Sequence, residues 1–288
     1  MSNEILEKGT LYLVGTPIGN LEDMTLRAIR ILQSVDLIAA EDTRHTGKLL
    51  HHFQITTPQI SYHHHNRLTR QTELLEKLQR GQTIALVTDA GMPGICDPGY
   101  DLTRACIEVN IPVIPIPGAT AAITALSASG LPSDRFVFEG FLPTKDKLRR
   151  DRLSSLQKES RTLIFYEAPH RLLSTLTDLA EVFGKDRSIT VARELTKLYE
   201  QLWRGTLEEG IDYYQDTQNI KGEITLVVRG CQESLSLQLT ESQLKEELLQ
   251  LLKQGMTRSQ ASRQLAQLTA RPRREIYELS LSMTDSYD

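Results

Sequence analysis

Residues 83–99, Thr-Ile-Ala-Leu-Val-Thr-Asp-Ala-Gly-Met-Pro-Gly-Ile-Cys-Asp-Pro-Gly, restrict the fold more than any other stretch. The short apolar run at 84–87 suits a strand buried on both faces of a parallel sheet. It runs directly into Gly91, Pro93, Gly94, Pro98 and Gly99. Glycine and proline at this density exclude helix and strand and demand a stiff, tightly turning loop. An ordinary strand–helix connection is the competing reading, but such loops usually have only a few residues. In open parallel sheets ligands bind beyond the carboxyl ends of strands. The prolines lower the entropy lost in fixing the loop, and the glycines open its backbone to a ligand.

The first half repeats this joint. A strand at 11–14 ends in Gly15-Thr16-Pro17-Ile18-Gly19-Asn20. A helix follows, with Asn20 as N-cap, Asp23 three residues on, and Leu26, Ile29 and Leu32 on its inner face. The turn is neither G-x-G-x-x-G nor a Walker loop, so a ligand without phosphate suits it at least as well. A strand at 36–40 ends in Glu41-Asp42-Thr43-Arg44, which either faces a substrate or forms a salt-bridged turn. A helix at 46–53 precedes His63-His64-His65. Neighbours in extended chain point to opposite faces, so at most His63 and His65 share one. Without a nearby Cys or H-E-x-x-H pattern, a polar cleft lining is expected there and no metal. Helices at 67–80, closed by Gly81, and at 101–108 flank the main loop. A strand at 113–115 leads to Pro117-Gly118-Ala119-Thr120-Ala121-Ala122, small enough for a ligand ring or for tight helix–sheet packing. This alternation predicts an α/β domain over 1–127 with a mostly parallel sheet.

A second α/β domain is expected over 128–232. Its strands fall at 136–141, 163–166, 189–192, 202–207 and 224–228, and hairpin links between several of them predict a mixed sheet. Two strands end in charged groups, Glu167-Ala168-Pro169-His170-Arg171 and Arg193-Glu194-Leu195-Thr196-Lys197, with Pro169 at the first position of a helix. The densest basic stretch, Lys145, Lys147, Arg149, Arg150 and Arg152, is either a phosphate-binding surface or the solvated face of a helix ending at Leu156. A helical extension is expected over 233–288, opening with a linker at 234–239 and followed by helices at 241–253, 258–268 and 272–281. It reads as a helix-turn-helix carrying Arg271, Arg273 and Arg274, or as a capping bundle or dimer contact.

The net charge is -4, so a polyanion must be met by a local basic patch. Three cysteines, Cys96, Cys106 and Cys231, without a C-x-x-C pair, point to reduced thiols in a cytoplasmic protein. Residues 1–8 lack the apolar core of a signal peptide, and no apolar run reaches membrane length.

Ten stretches are informative as a set: LVGTPIGN at 13–20, EDTR at 41–44, His65-Asn66, TDAGMPGICDPG at 88–99, PGATAA at 117–122, SGLP at 129–132, FEGFLP at 138–143, EAPHR at 167–171, RELTK at 193–197 and Gly222-Glu223. Together they resemble the tetrapyrrole methylase superfamily, two-domain α/β enzymes that use S-adenosylmethionine. Within it they resemble the branch that methylates the ribose 2′-hydroxyl of a cytidine in 16S rRNA, cytidine 1402 by resemblance. Met92 and Cys96 stand where other residues are common. The resemblance implies a homodimer acting on 16S rRNA or the small ribosomal subunit. It implies a cofactor site built from Pro17, Asp89, Gly91, Pro93, Ile95, Asp97, Gly118, Ala119, Thr120, Ala121, Tyr166 and Leu195, with no metal. Gly91 and Gly118 are expected to lie too close to the cofactor for a side chain. A ribose hydroxyl needs deprotonation, so catalytic candidates are Lys197 or Arg193 for the alkoxide and a carboxylate, Glu167 or Glu194, for positioning. A methylase of a tetrapyrrole precursor and a non-catalytic, cofactor-sensing RNA-binding protein are the alternatives.

Overall fold

The computed structural model describes residues 6–217, 220–232, 239–269 and 271–283. Of the expected linker, residues 234–238 lie outside them. The chain forms two compact units, Met1–Gln157 with Arg161–Arg229, and Lys158–Ser160 with Gly230–Asp288.

The first unit contains two five-stranded sheets. The first sheet comprises β1 (Leu11–Val14), β2 (Leu37–Ala40), β3 (Gln59–Ser61), β4 (Ile84–Val87) and β5 (Val113–Ile116), in the order β3-β2-β4-β1-β5. Every pairing is parallel. Alternate residues serve opposite faces, as the strand period requires. Tyr12, Val14, Ile38, Ala40, Ala85 and Val87 pack with α1 (Leu26–Ser34) and α2 (Thr43–His52). Leu11, Ala39, Ile84 and Leu86 pack with α3 (Arg67–Gln79) and α4 (Gly99–Glu108). The chain leaving β1 crosses towards β2, whereas the chain leaving β4 crosses the other way to β5. Adjacent strands with diverging exits open a crevice at their carboxyl ends.

The phase of α1 differs from expectation. Asn20 caps a 3-10 turn, Leu21–Asp23, by accepting from the Glu22 N–H at 3.0 Å. The helix starts afresh at Leu26 with Thr25 as its cap. Its buried face is Ala28, Ile31 and Leu32, and Leu26 is 81% exposed.

The second sheet is mixed. It comprises β6 (Phe136–Phe141), β7 (Thr162–Glu167), β8 (Ser188–Arg193), β9 (Gln201–Thr206) and β10 (Ile224–Val228), in the order β6-β7-β10-β8-β9. Only β6 and β7 run parallel; the other pairs are antiparallel. One face, with Leu163, Phe165, Ile189, Val191 and Leu226, packs on α6 (Asp146–Leu156), α7 (Leu172–Phe183) and α8 (Leu207–Gln215). The other face, with Ile164, Ala192 and Val227, takes α5 (Ala121–Ser129), together with Ile18 and Leu195. The expected domain boundary at residue 127 falls inside α5. Through Ile18 the loop after β1 is packed against the second sheet.

The second unit contains α9 (Glu241–Lys253), α10 (Arg258–Thr269) and α11 (Arg273–Ser282). Leu244, Leu248, Leu251, Ala261, Leu265 and Ile276 form its own core. Thr240 and Gln243 form a capping box on α9, and Gly255 at φ +88 turns the chain towards α10.

Candidate functional site

The loops at the carboxyl ends of β1, β4 and β5 brace one another. Thr16 and Gly91 exchange backbone hydrogen bonds at 2.9 and 3.2 Å, and the Thr16 hydroxyl donates to the Thr88 carbonyl at 3.1 Å. Gly91 sits at φ +85, which explains glycine there by conformation. A Cβ on it would meet its nearest atoms at ordinary contact distance. Gly118 answers a different demand. A Cβ there would lie 2.8 Å from the Gly15 Cα and carbonyl carbon. Its missing side chain is required by the backbone of the β1 loop.

Asp97 acts within its loop. Its carboxylate accepts from the Gly94 N–H at 2.9 Å, the Ile95 N–H at 3.2 Å and the Gly99 N–H at 2.7 Å. Burial pushes this carboxyl above its ordinary value, against the pull of those donors. Pro93 is buried and Ile95 exposed. Ala119, Ala121, Tyr166 and Leu195 share the apolar cluster that includes Ile18. Thr120 caps α5 by accepting from the Ile123 N–H. Tyr166 stacks edge-on against Phe138 and tilted against Phe141, with centroids 5.0 and 5.5 Å away. Burial raises its phenol above the usual range.

Beside this cluster lies an open cavity of about 530 Å³. The loops after β1 and β4 supply Pro17, Ile18, Gly19 and Asp89, α2 supplies His45 and Lys48, and the turns after β8 and before β10 supply Lys197 and Glu223. Pro17, Asp89 and Lys197 were expected at a site from sequence. His45 and Lys48 were not, although their i,i+3 spacing just after EDTR puts both on one helix face. That motif divides its roles. Asp42 caps α2 and pairs with the exposed Arg44 at 2.7 Å. Glu41 accepts from the Thr88 hydroxyl at 2.5 Å and the Asp89 N–H at 3.3 Å. Burial, and then the nearby Glu41 carboxylate, raise the Asp89 carboxyl. His63 and His65 lie edge-on at 5.9 Å and do not line this cavity. Among the described residues there is no metal-binding cluster.

Lys197 is the most constrained of the catalytic candidates. Its Nζ donates to Glu194 Oε1 at 2.8 Å and to Glu223 Oε2 at 3.0 Å. Burial works against its charge, but these two carboxylates outweigh it and raise its pKa. Lys197 therefore stays an ammonium at neutral pH. Gly19 is needed beside it, since a Cβ there would strike the Lys197 stem. Arg193 is engaged elsewhere, donating to the Gln201 side chain at 3.1 Å and the Lys221 carbonyl at 3.2 Å. Glu167 is buried behind the turn after β7. It accepts from the Thr175 hydroxyl at 2.6 Å and the Ala168 N–H at 2.8 Å, with Arg171 at 3.4 Å. The structure does not bring it to the cavity.

The basic stretch is largely neutralised from within. Arg149 is 4% exposed and meets buried Asp178 at 2.6 Å. Arg150 reaches the same carboxylate at 2.8 Å, and Arg152 pairs with Glu139 at 2.7 Å. Lys145 and Lys147 remain exposed. The stretch expected as a phosphate-binding surface or a solvated helix face is thus one buried arginine, two half-exposed arginines paired with buried carboxylates, and two exposed lysines.

The family model of the Tetrapyrrole (Corrin/Porphyrin) Methylases matches residues 10–210. A protein of Synechocystis sp. named "Ribosomal RNA small subunit methyltransferase I" is 64% identical over 96% of this chain and 98% of its own. The protein of that name from Halalkalibacterium halodurans is 50% identical over 95% of both chains. Among solved structures, a uroporphyrin-III-C-methyltransferase from Thermus thermophilus superposes with a TM-score of 0.54 at 22% identity, covering 77% of this chain and 94% of that one. Another structure of a Thermus thermophilus uroporphyrin-III C-methyltransferase, complexed with S-adenosyl homocysteine, gives 0.54 at 17% identity over 76% and 96%. These distant structures establish the fold alone. The chain belongs to the tetrapyrrole (corrin/porphyrin) methylase family, among its ribosomal RNA small subunit methyltransferase I members, and is a methyltransferase.

Proposed function

We propose that the chain methylates the ribose 2′-hydroxyl of a cytidine in 16S rRNA, at cytidine 1402, using S-adenosylmethionine. It acts as a cytoplasmic homodimer on the rRNA or the small subunit. The observation that carries this reading is the 64% identity, spread over nearly the whole chain, to a protein bearing the rRNA methyltransferase name.

The residues fit the cofactor by their chemistry. The loops at 15–20, 88–99 and 117–122 contain no Lys or Arg, as suits a ligand with a positive sulfonium and no phosphate. Pro17, Asp89, Gly91, Pro93, Ile95, Gly118–Ala121, Tyr166 and Leu195 would hold it, with Asp97 keeping the main loop in shape. When bound, S-adenosylmethionine supplies an electrophilic methyl group. The chain's own tasks are to align the ribose oxygen, exclude water and stabilise the alkoxide that forms. Lys197 suits the last task, because it lines the cavity as a held ammonium. Arg193 is committed to Gln201 and Lys221, and Glu167 to anchoring the β7 turn.

The test is transfer of labelled methyl from S-adenosylmethionine by the purified full chain, with small subunits and naked 16S rRNA as acceptors. The proposal expects label in a 2′-O-methyl nucleotide. Absence of transfer to either acceptor overturns it.

A further inference from the structure

The turn that holds Lys197 is built at the expense of backbone comfort. Glu194 and Thr196 both adopt positive φ, +52 and +66, although neither is glycine. Such strain persists only where the surroundings over-determine it, and it gathers at functional sites. Here the surroundings are specific. The Glu194 N–H donates to the Glu223 carbonyl at 2.9 Å, and the Glu223 N–H returns to Glu194 Oε1 at 3.1 Å. The Lys197 N–H closes on the Glu194 carbonyl at 3.0 Å, and the Thr196 N–H meets Glu200 Oε2 at 2.6 Å. Gly222, at φ +91, leaves the space that the Glu194 carboxylate occupies; a Cβ there would run into it.

Two carboxylates hold Lys197, but they are not equivalent. The Glu194 side chain is 18% exposed and that of Glu223 is 71% exposed. The less exposed partner fixes direction, while the exposed one competes with water. An ammonium has three N–H donors. Glu194 and Glu223 take one each, which leaves the third for the cavity that Lys197 lines.

We infer that Glu194 is a positioning residue, whose carboxylate, seated over Gly222, fixes the Lys197 ammonium at the cavity wall with one N–H free for a substrate oxygen. This rests on the reading of Lys197 as the group that meets the ribose oxygen. Besides Glu194 and Glu223, the charged or titratable neighbours are Arg193 and Glu200 on the same turn, and Asp89, His45 and Lys48 across the cavity.

The experiment compares Glu194→Gln, Gly222→Ala, Glu223→Gln and Lys197→Met in the full chain, measuring methyl transfer against pH. Calorimetry with S-adenosylmethionine and circular dichroism report the integrity of each variant. Glu194→Gln removes the charge. Gly222→Ala keeps every charge but displaces the carboxylate. Both should lower kcat roughly 10- to 100-fold, the scale of a misplaced group, with KM for S-adenosylmethionine unchanged. Both should also move the alkaline limb of kcat to lower pH, because losing the adjacent anion lets Lys197 shed its proton sooner. Glu223→Gln should shift that limb less than either. Should Lys197→Met be as active as the parent, the reading of Lys197 falls, and this inference with it. If Lys197→Met is inactive while Glu194→Gln and Gly222→Ala keep the parental rate or the parental pH limb, Glu194 has no positioning role and only this inference falls.

Discussion

Arg149→Ala should destabilise the first unit strongly. Arg149 and Asp178 are 4% and 2% exposed, and their Nε–Oδ2 distance is 2.6 Å. Removing one partner of such a pair strands the other charge away from water, which costs about 3–5 kcal/mol. Arg150 still reaches Asp178 Oδ1 at 2.8 Å from the surface, so the loss belongs near the lower end. A value of about 3 kcal/mol corresponds to roughly a hundredfold in the folding equilibrium. Trp203, the only tryptophan, packs on the core that includes Leu153, Leu176 and Leu179, so its fluorescence follows this region through urea unfolding. Replacing both partners, Arg149→Met with Asp178→Leu, should recover most of the loss, since the stranded carboxylate is gone. An Arg149→Ala variant within about 1 kcal/mol of the parent would refute the assignment of this arginine to the core. The same result bears on RNA binding, because reduced activity in any Arg149 variant reports the fold before it reports phosphate contacts.

Gly118→Ala forces the β1 and β5 loops apart at Gly15, where only backbone is available to yield; it should cost about 1–3 kcal/mol and weaken S-adenosylmethionine binding measured by calorimetry. Asp36 receives the Thr83 N–H at 2.7 Å and its hydroxyl at 2.8 Å, and these hold its carboxyl below the ordinary value. Its contribution to stability is therefore present above the ordinary Asp range and lost as pH falls through the depressed value; in Asp36→Asn that acid-side dependence should shrink in a pH series of urea midpoints. Lys145→Ala with Lys147→Ala should flatten the salt dependence of RNA binding by up to about two phosphate contacts and leave cofactor affinity unchanged, as read by filter binding at several salt concentrations.

The strands were legible because their apolar runs are short and end in glycine and proline, as at Ile84–Val87, where burial on both faces erases any alternation. The sequence places Leu26 on the inner face of α1, but Thr25 caps the helix and Asn20 caps only a preceding turn, so Ala28 and Ile31 join Leu32 inside and Leu26 points out. Tertiary partners far along the chain were invisible. The reason for Gly118 is Gly15, and Arg149 is held in the core by an ion pair with Asp178 on another helix. Lys197 stands out as a charge at a strand end, but its direction depends on the Glu194 carboxylate, which finds its place only because Gly222, just before β10, leaves the space. His45 carries no motif of its own, and only the helical phase after EDTR brings it to the cavity.

The central claim is tested most directly by mass spectrometry of 16S rRNA fragments from cells lacking the protein, compared with the same cells supplied with it. In the deleted strain the fragment containing cytidine 1402 should lose the mass of one methyl group, located on the ribose, and regain it on complementation. An unchanged methylation state of that ribose in the deleted strain would contradict it.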